Sequence, residues 1–171
     1  MLKILGIVVI VLGVCGFICG WKETKKTRLI NLHYMIKIIT EAEFILIRER
    51  KSIIFLFEYM GKEKNAMSII CKEMAVLLKE HAYKNGLQAW ENAVRENHEG
   101  LCLSKEQENI ICMAGEALFK KTATQMEESL VTNKLRLQKI IENEEQRISE
   151  QNRLVIPLCA FWGILLIIIF L

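Results

Sequence analysis

Aspartate is absent: all 20 acidic residues are glutamate. Without it the chain has no EF-hand loop, no phosphorylated aspartate, no Walker B site and no Ser-His-Asp triad. Proline occurs once and glycine nine times, too few for the turn-rich alternation of an all-β protein. Net charge is only +3 over 171 residues, and no basic run is long enough to engage nucleic acid. The six cysteines, at 15, 19, 71, 102, 112 and 159, make no CxxC pair and have no histidine at ligand spacing. That pattern fits neither a zinc site nor a disulfide framework and leaves reduced thiols. No glycine-rich phosphate loop and no serine in a nucleophile elbow are present. His33, His81 and His98 fall on different predicted helices or at their ends. Glu41 and Glu43 stand two apart, so a helix sends them to different faces. The expectation is a protein that is not an enzyme and needs no cofactor or metal.

What the chain does have is two long apolar runs. Residues 4–20, ILGIVVIVLGVCGFICG, and 154–171, LVIPLCAFWGILLIIIFL, carry no charge. At about 1.5 Å per residue each matches a hydrocarbon core of roughly 30 Å. Both are expected to be membrane helices, occupying 1–21 and 154–171, with Pro157 in the first turns of the second, where a missing N–H costs least. The first run has no alanine and no small-x-small site, so it reads as an uncleaved anchor rather than a signal peptide. Lys22, Lys25, Lys26 and Arg28 follow the first run, and Arg147 and Arg153 precede the second. The excess of positive charge keeps 22–153 in the cytoplasm and sends both termini across the membrane. Trp21, Lys22 and Arg153 then lie at the membrane interface.

Residues 22–153 read as helix throughout. Leu29, Leu32, Ile36, Ile39, Phe44 and Ile47 recur every three to five positions through the first segment, to about Arg50. Ser52 caps a short apolar helix, IIFLFEYM, that Gly61 ends. Asn65 precedes a third, with Met67, Ile70, Met74, Leu77 and Leu78 on one side, expected to stop at Asn85-Gly86. A fourth, LQAWENAVREN, runs toward Gly100. Ser104 with Gln107 makes a capping box for a fifth, burying Ile110, Ile111, Ala114 and Leu118. Thr124 with Glu127 makes another for the last. There Leu130, Leu137, Ile141, Ile148 and Val155 hold a heptad-like seam interrupted by Lys134, Glu144 and Gln151, and nothing breaks the helix before Pro157. Apolar faces must cover one another, so the fold class is all-α: an antiparallel bundle of about six helices flanked by membrane helices. Trp90 reads either as core or as an interface anchor, and the charges RERK at 48–51 as a solvated helix face or a partner surface.

The chain resembles the stage III sporulation protein AB family of endospore-forming bacteria. The likeness rests on MLKILG at the start and RLINLHYMIKIITEAEFILI at 28–47, similar to the family's R-x-x-L-x-x-L-x-x-A-L-x-x-L-E-x-E-I. It continues with the Ala89-Trp90 pair, LSKEQENIICMAGEALF at 103–119, Gln125 and the C-terminal anchor. Where the family has Pro-Leu opening its second helix, this chain has KSIIFLFEYMG. Matched positions are Arg28, Glu41, Glu43, Ala89, Trp90, Gly115, Glu116 and Gln125, all family-pattern or partner-contact candidates and none catalytic. The resemblance implies a part of the channel complex between mother cell and forespore, on the mother-cell side of the outer forespore membrane. It also implies a cytoplasmic domain similar to those of type II secretion and type IV pilus platform proteins. Such a domain would dock a cytoplasmic ATPase and meet other channel membrane proteins, with homo-oligomers an option. The alternative is a membrane-tethered regulatory module that dimerises through its last helix; an enzyme at the bilayer surface has the least support.

Overall fold

A computed structural model describes residues 2–80 and 85–170. The described chain is helical and contains no strand. In order come α1 (Leu2–Ala42), α2 (Ile53–Met60), α3 (Ala66–Lys79), α4 (Gly86–Glu96), the short α5 (His98–Leu101), α6 (Lys105–Glu116) and α7 (Ala123–Phe170). The chain divides into two compact units, one of residues 1–26 with 142–171 and one of residues 27–141.

The helix ends follow the local chemistry. Ser52 accepts from the amide of Phe55, and Gly61 closes α2. Asn65 accepts from Ser68 to open α3. Ser104 and Gln107 exchange the two bonds of the expected capping box, each satisfying an amide that the first helical turn leaves unpaired. Two expectations are corrected. The third helix does not run to Asn85-Gly86: it ends at Lys79, and Asn85 instead opens α4 by accepting from Leu87. Residues 81–84, His81 among them, lie outside the described residues. The last helix is capped not at Thr124 but at Thr122, whose hydroxyl accepts from Gln125.

Length also departs from expectation at the start. No glycine or proline lies between Gly20 and Ala42, so nothing interrupts the backbone bonds, and α1 is a single helix of 41 residues. It passes into a π-helical stretch, Glu43–Arg48, and closes at Arg50, whose φ of 54° is left-handed. The apolar stripe therefore continues through Ala42 and Ile45, both buried, while Phe44, expected on that stripe, is half exposed. At the other end α7 runs 48 residues with Pro157 inside it.

The core belongs to the unit of residues 27–141. Leu32, Met35, Ile38 and Ile39 of α1 are buried with Leu56, Phe57 and Met60 of α2, Met67, Ile70 and Met74 of α3, and Trp90 and Val94 of α4. Ile111 and Ala114 join from α6, and Leu130, Leu137 and Ile141 from α7. Ile110, Leu77 and Leu78, also expected inside, are only partly buried. Among the described residues no helix is long and apolar enough to cross a membrane. Many side chains of 4–20 and 154–171, the two stretches expected to cross one, lie outside the description.

Candidate docking site

Of the residues singled out in the sequence, Trp90 is the most deeply placed. It is fully buried, stacks on Phe57 with ring centroids 5.9 Å apart, and donates its indole N–H to the carbonyl of Ile111 at 3.3 Å. The ring lies against the bare backbone of Gly115: a Cβ built there would stand 1.9 Å from Trp90 Nε1. Two matched positions, 25 residues apart in sequence, are thus one packing unit, and Ala89 is buried beside them. Trp90 is a core residue, which decides between its two readings.

Arg28 is also turned inward. Its Nε donates to the carbonyl of Cys102 at 2.8 Å, and Asn31, one turn on, donates to the carbonyl of Leu101 at 3.1 Å. These two side chains satisfy carbonyls that the end of α5 leaves without an intrahelical partner, and they hold Cys102 in its left-handed conformation, φ 54°. The remaining matched residues are peripheral. Glu41 is partly buried; Glu43 lies 3.4 Å from Arg48; Glu116 pairs with Lys120 one turn later at 2.5 Å; Gln125 is exposed. Trp21 carries Lys25 Nζ 5.6 Å from its ring centroid, and Lys22 and Arg153 are exposed. His33 and His98 are exposed; His33 bonds the carbonyl of Leu29 one turn back in α1, and His98 that of Arg95 near the end of α4. Among the described residues no group of three His, Cys or Glu side chains could hold a metal ion.

Sequence reasoning missed the corner between α2 and α3. From α1, Tyr34 donates its hydroxyl to the carbonyl of Met60, and Lys37 pairs with Glu63. Ser68 closes the turn by donating to the carbonyl of Glu63 at 2.7 Å. Burial of the phenol, aided by the Glu63 carboxylate and Cys71, pushes the Tyr34 hydroxyl up to about 12. Burial alone raises the Cys71 thiol to about 12, so it stays protonated at neutral pH. Gly61 lets the end of α2 lie on the α3 backbone, since a Cβ there would be 3.1 Å from Lys72 Cα. Beside this corner runs an open groove of about 470 Å³. Phe55 and Tyr59 form one side, Ala75 and Val76 the other, and Lys62, Lys72 and Lys79 the rim. A signal for it was present: IIFLFEYM has one polar side chain, Glu58, and a helix apolar on all sides cannot hide every face in a small core.

The sequence model of the stage III sporulation protein AB family matches residues 3–171, essentially the whole chain. The chain belongs to that family. Its role is accordingly a sporulation role, and the all-helical domain with its Trp90–Gly115 packing is a member's fold. The matching comparisons with curated proteins and with solved structures found nothing similar.

Proposed function

We propose that this family member is a two-pass membrane adaptor that presents its helical domain in the cytoplasm to a partner ATPase. Its place would be the channel complex between mother cell and forespore, on the mother-cell side of the outer forespore membrane. The observation that carries the sporulation role is the family match over residues 3–171. The membrane reading rests on the uncharged runs 4–20 and 154–171 and on large apolar side chains left in the open. Leu12, Phe17, Leu154, Phe161 and Ile168 are each more than 60% exposed, a surface that water does not tolerate and lipid does. The adaptor reading rests on the likeness to secretion-platform domains, an analogy of architecture. On this reading the domain acts by binding.

Dimerisation through the last helix is less well supported. Leu130, Leu137 and Ile141, the start of the seam, are buried in the domain's own core and have no face left for a second copy. The test is a pull-down of the full chain in detergent with the purified ATPase of the same complex. Specific retention is expected; a folded chain that ignores an active ATPase overturns the adaptor reading.

A further inference from the structure

The groove between α2 and α3 has an apolar floor, a basic rim and a fixed shape. On α2, Phe55 and Tyr59 are one helical turn apart and 39% and 45% exposed. On α3, Lys72 and Lys79 are two turns apart on either side of Val76, which is 47% exposed. They span about 10 Å of α3 at roughly 1.5 Å per residue, the length of two turns of a visiting helix. The corner is held from α1 by Tyr34 on Met60 and Lys37 on Glu63, so the helices that wall the groove are fixed in place.

The charges around it are one-sided. Both carboxylates of the corner are engaged, Glu58 with Lys79 and Glu63 with Lys37. Lys62, Lys64 and Lys72 make no ion pair among the described residues, and Lys62 instead lies 5.7 Å from the Tyr59 ring centroid. An apolar channel between unneutralised lysines complements a helix with an apolar stripe flanked by glutamate or aspartate. A second copy of this chain fits poorly, because a two-fold contact would set the same lysines against each other. A flat bilayer surface fits poorly too, because the recessed floor at Gly61 and Ala75 would stay uncovered beneath it.

We infer that the α2–α3 groove is the docking site for an acidic amphipathic helix of a partner protein. The identity of that partner rests on the adaptor reading above, which makes it the ATPase. Apolar contacts with Phe55, Tyr59 and Val76 hold the helix, and Lys62 and Lys72 steer and orient it.

The test uses the full chain in nanodiscs of neutral phosphatidylcholine, with a photo-crosslinking amino acid in place of Val76 and the purified ATPase as probe. Crosslinking to an acidic helical segment of the ATPase is expected. In the unlabelled chain, Lys62→Glu with Lys72→Glu should weaken ATPase binding about tenfold or more at low salt and flatten its salt dependence. Tyr59→Ala should weaken it at every salt concentration. All three side chains are exposed, so the unfolding temperature should stay near that of the unaltered chain. If the unaltered chain binds the ATPase and the lysine reversals leave that binding unchanged, the groove assignment fails while the adaptor reading stands. If the unaltered chain does not bind it, both fail. Crosslinks only to a second copy, or only to lipid when anionic phosphatidylglycerol is supplied, overturn the inference in favour of those occupants.

Discussion

Trp90 and Gly115 show how a single hydrogen atom can carry a fold. Glycine at 115 leaves room for the indole; any larger side chain enters the space the ring occupies, with its Cβ 1.9 Å from Nε1. Because Trp90 is fully buried and braced by Phe57, it has no open direction in which to yield. Gly115→Ala should therefore cost about 3 kcal/mol, the upper end of the overpacking range, outweighing the gain of up to about 1 kcal/mol from alanine's better helix propensity. Thermal unfolding of the detergent-solubilised chain, followed by circular dichroism, measures it; a variant as stable as the parent would refute the contact. Tyr34 gives a pH signature. Its hydroxyl titrates near 12 in the fold against 10 when free. Unfolding therefore releases the proton more easily above pH 10, and stability is lost as pH rises from 10 toward 12. Tyr34→Phe should be less stable than the parent at pH 7 by about 1 kcal/mol, the worth of a buried hydrogen bond. That gap should narrow as pH climbs past 10, which denaturant melts at pH 7 and pH 11 would record; a gap that widens would contradict the burial of the phenol.

Helix boundaries separate what a sequence makes legible from what it does not. Ser52, Asn65 and Ser104 announced α2, α3 and α6, because a cap needs only a short polar side chain and the amides two or three residues on. The same rule misled at two places. Asn85-Gly86 fits a helix end as well as a helix start, and the backbone uses it as a start. Thr122 and Thr124 are both plausible caps, and the backbone chooses Thr122. Neither choice is written locally. The Trp90–Gly115 contact and the clamp of Arg28 on Cys102 were illegible for a different reason: each joins residues far apart in the chain, which periodicity cannot pair. The matched positions marked that these residues mattered without saying what they touch, and the α2–α3 groove carried no such mark at all. Caps can be ranked by mutation. Ser104→Ala removes half of a complete capping box and should cost about 1 kcal/mol, whereas Thr124→Ala, which loses no capping bond, should stay within about 0.5 kcal/mol. Urea midpoints of the two variants compare them directly, and equal losses would return the cap to Thr124.

At the scale of the whole molecule, the two apolar runs and the charges beside them demand one arrangement if the proposed membrane reading holds. Lys22, Lys25, Lys26 and Arg28 follow residues 4–20, and Arg147 and Arg153 precede residues 154–171. An even number of crossings puts both ends of the chain on the same side, and the positive flanks assign the middle to the cytoplasm. The groove lysines at 62, 72 and 79 then face the compartment in which an ATPase has its nucleotide, which ties the topology to the docking proposal. A cysteine placed ahead of Met1, in a chain whose own six cysteines are replaced by alanine or serine, should react with a membrane-impermeant maleimide added outside intact non-sporulating cells that carry the chain in their plasma membrane. One placed at Lys64, exposed on the α2–α3 corner, should react only after the cells are opened. Replacing Lys22, Lys25 and Lys26 by glutamine weakens the orienting charge at the first run alone, so labelling at the N-terminal site should become partial while a site after Leu171 keeps its outside reactivity. Lys64 reacting in intact cells would invert the orientation and remove the groove from any cytoplasmic partner. Reaction of every site from both sides would mean that neither run is held across a bilayer.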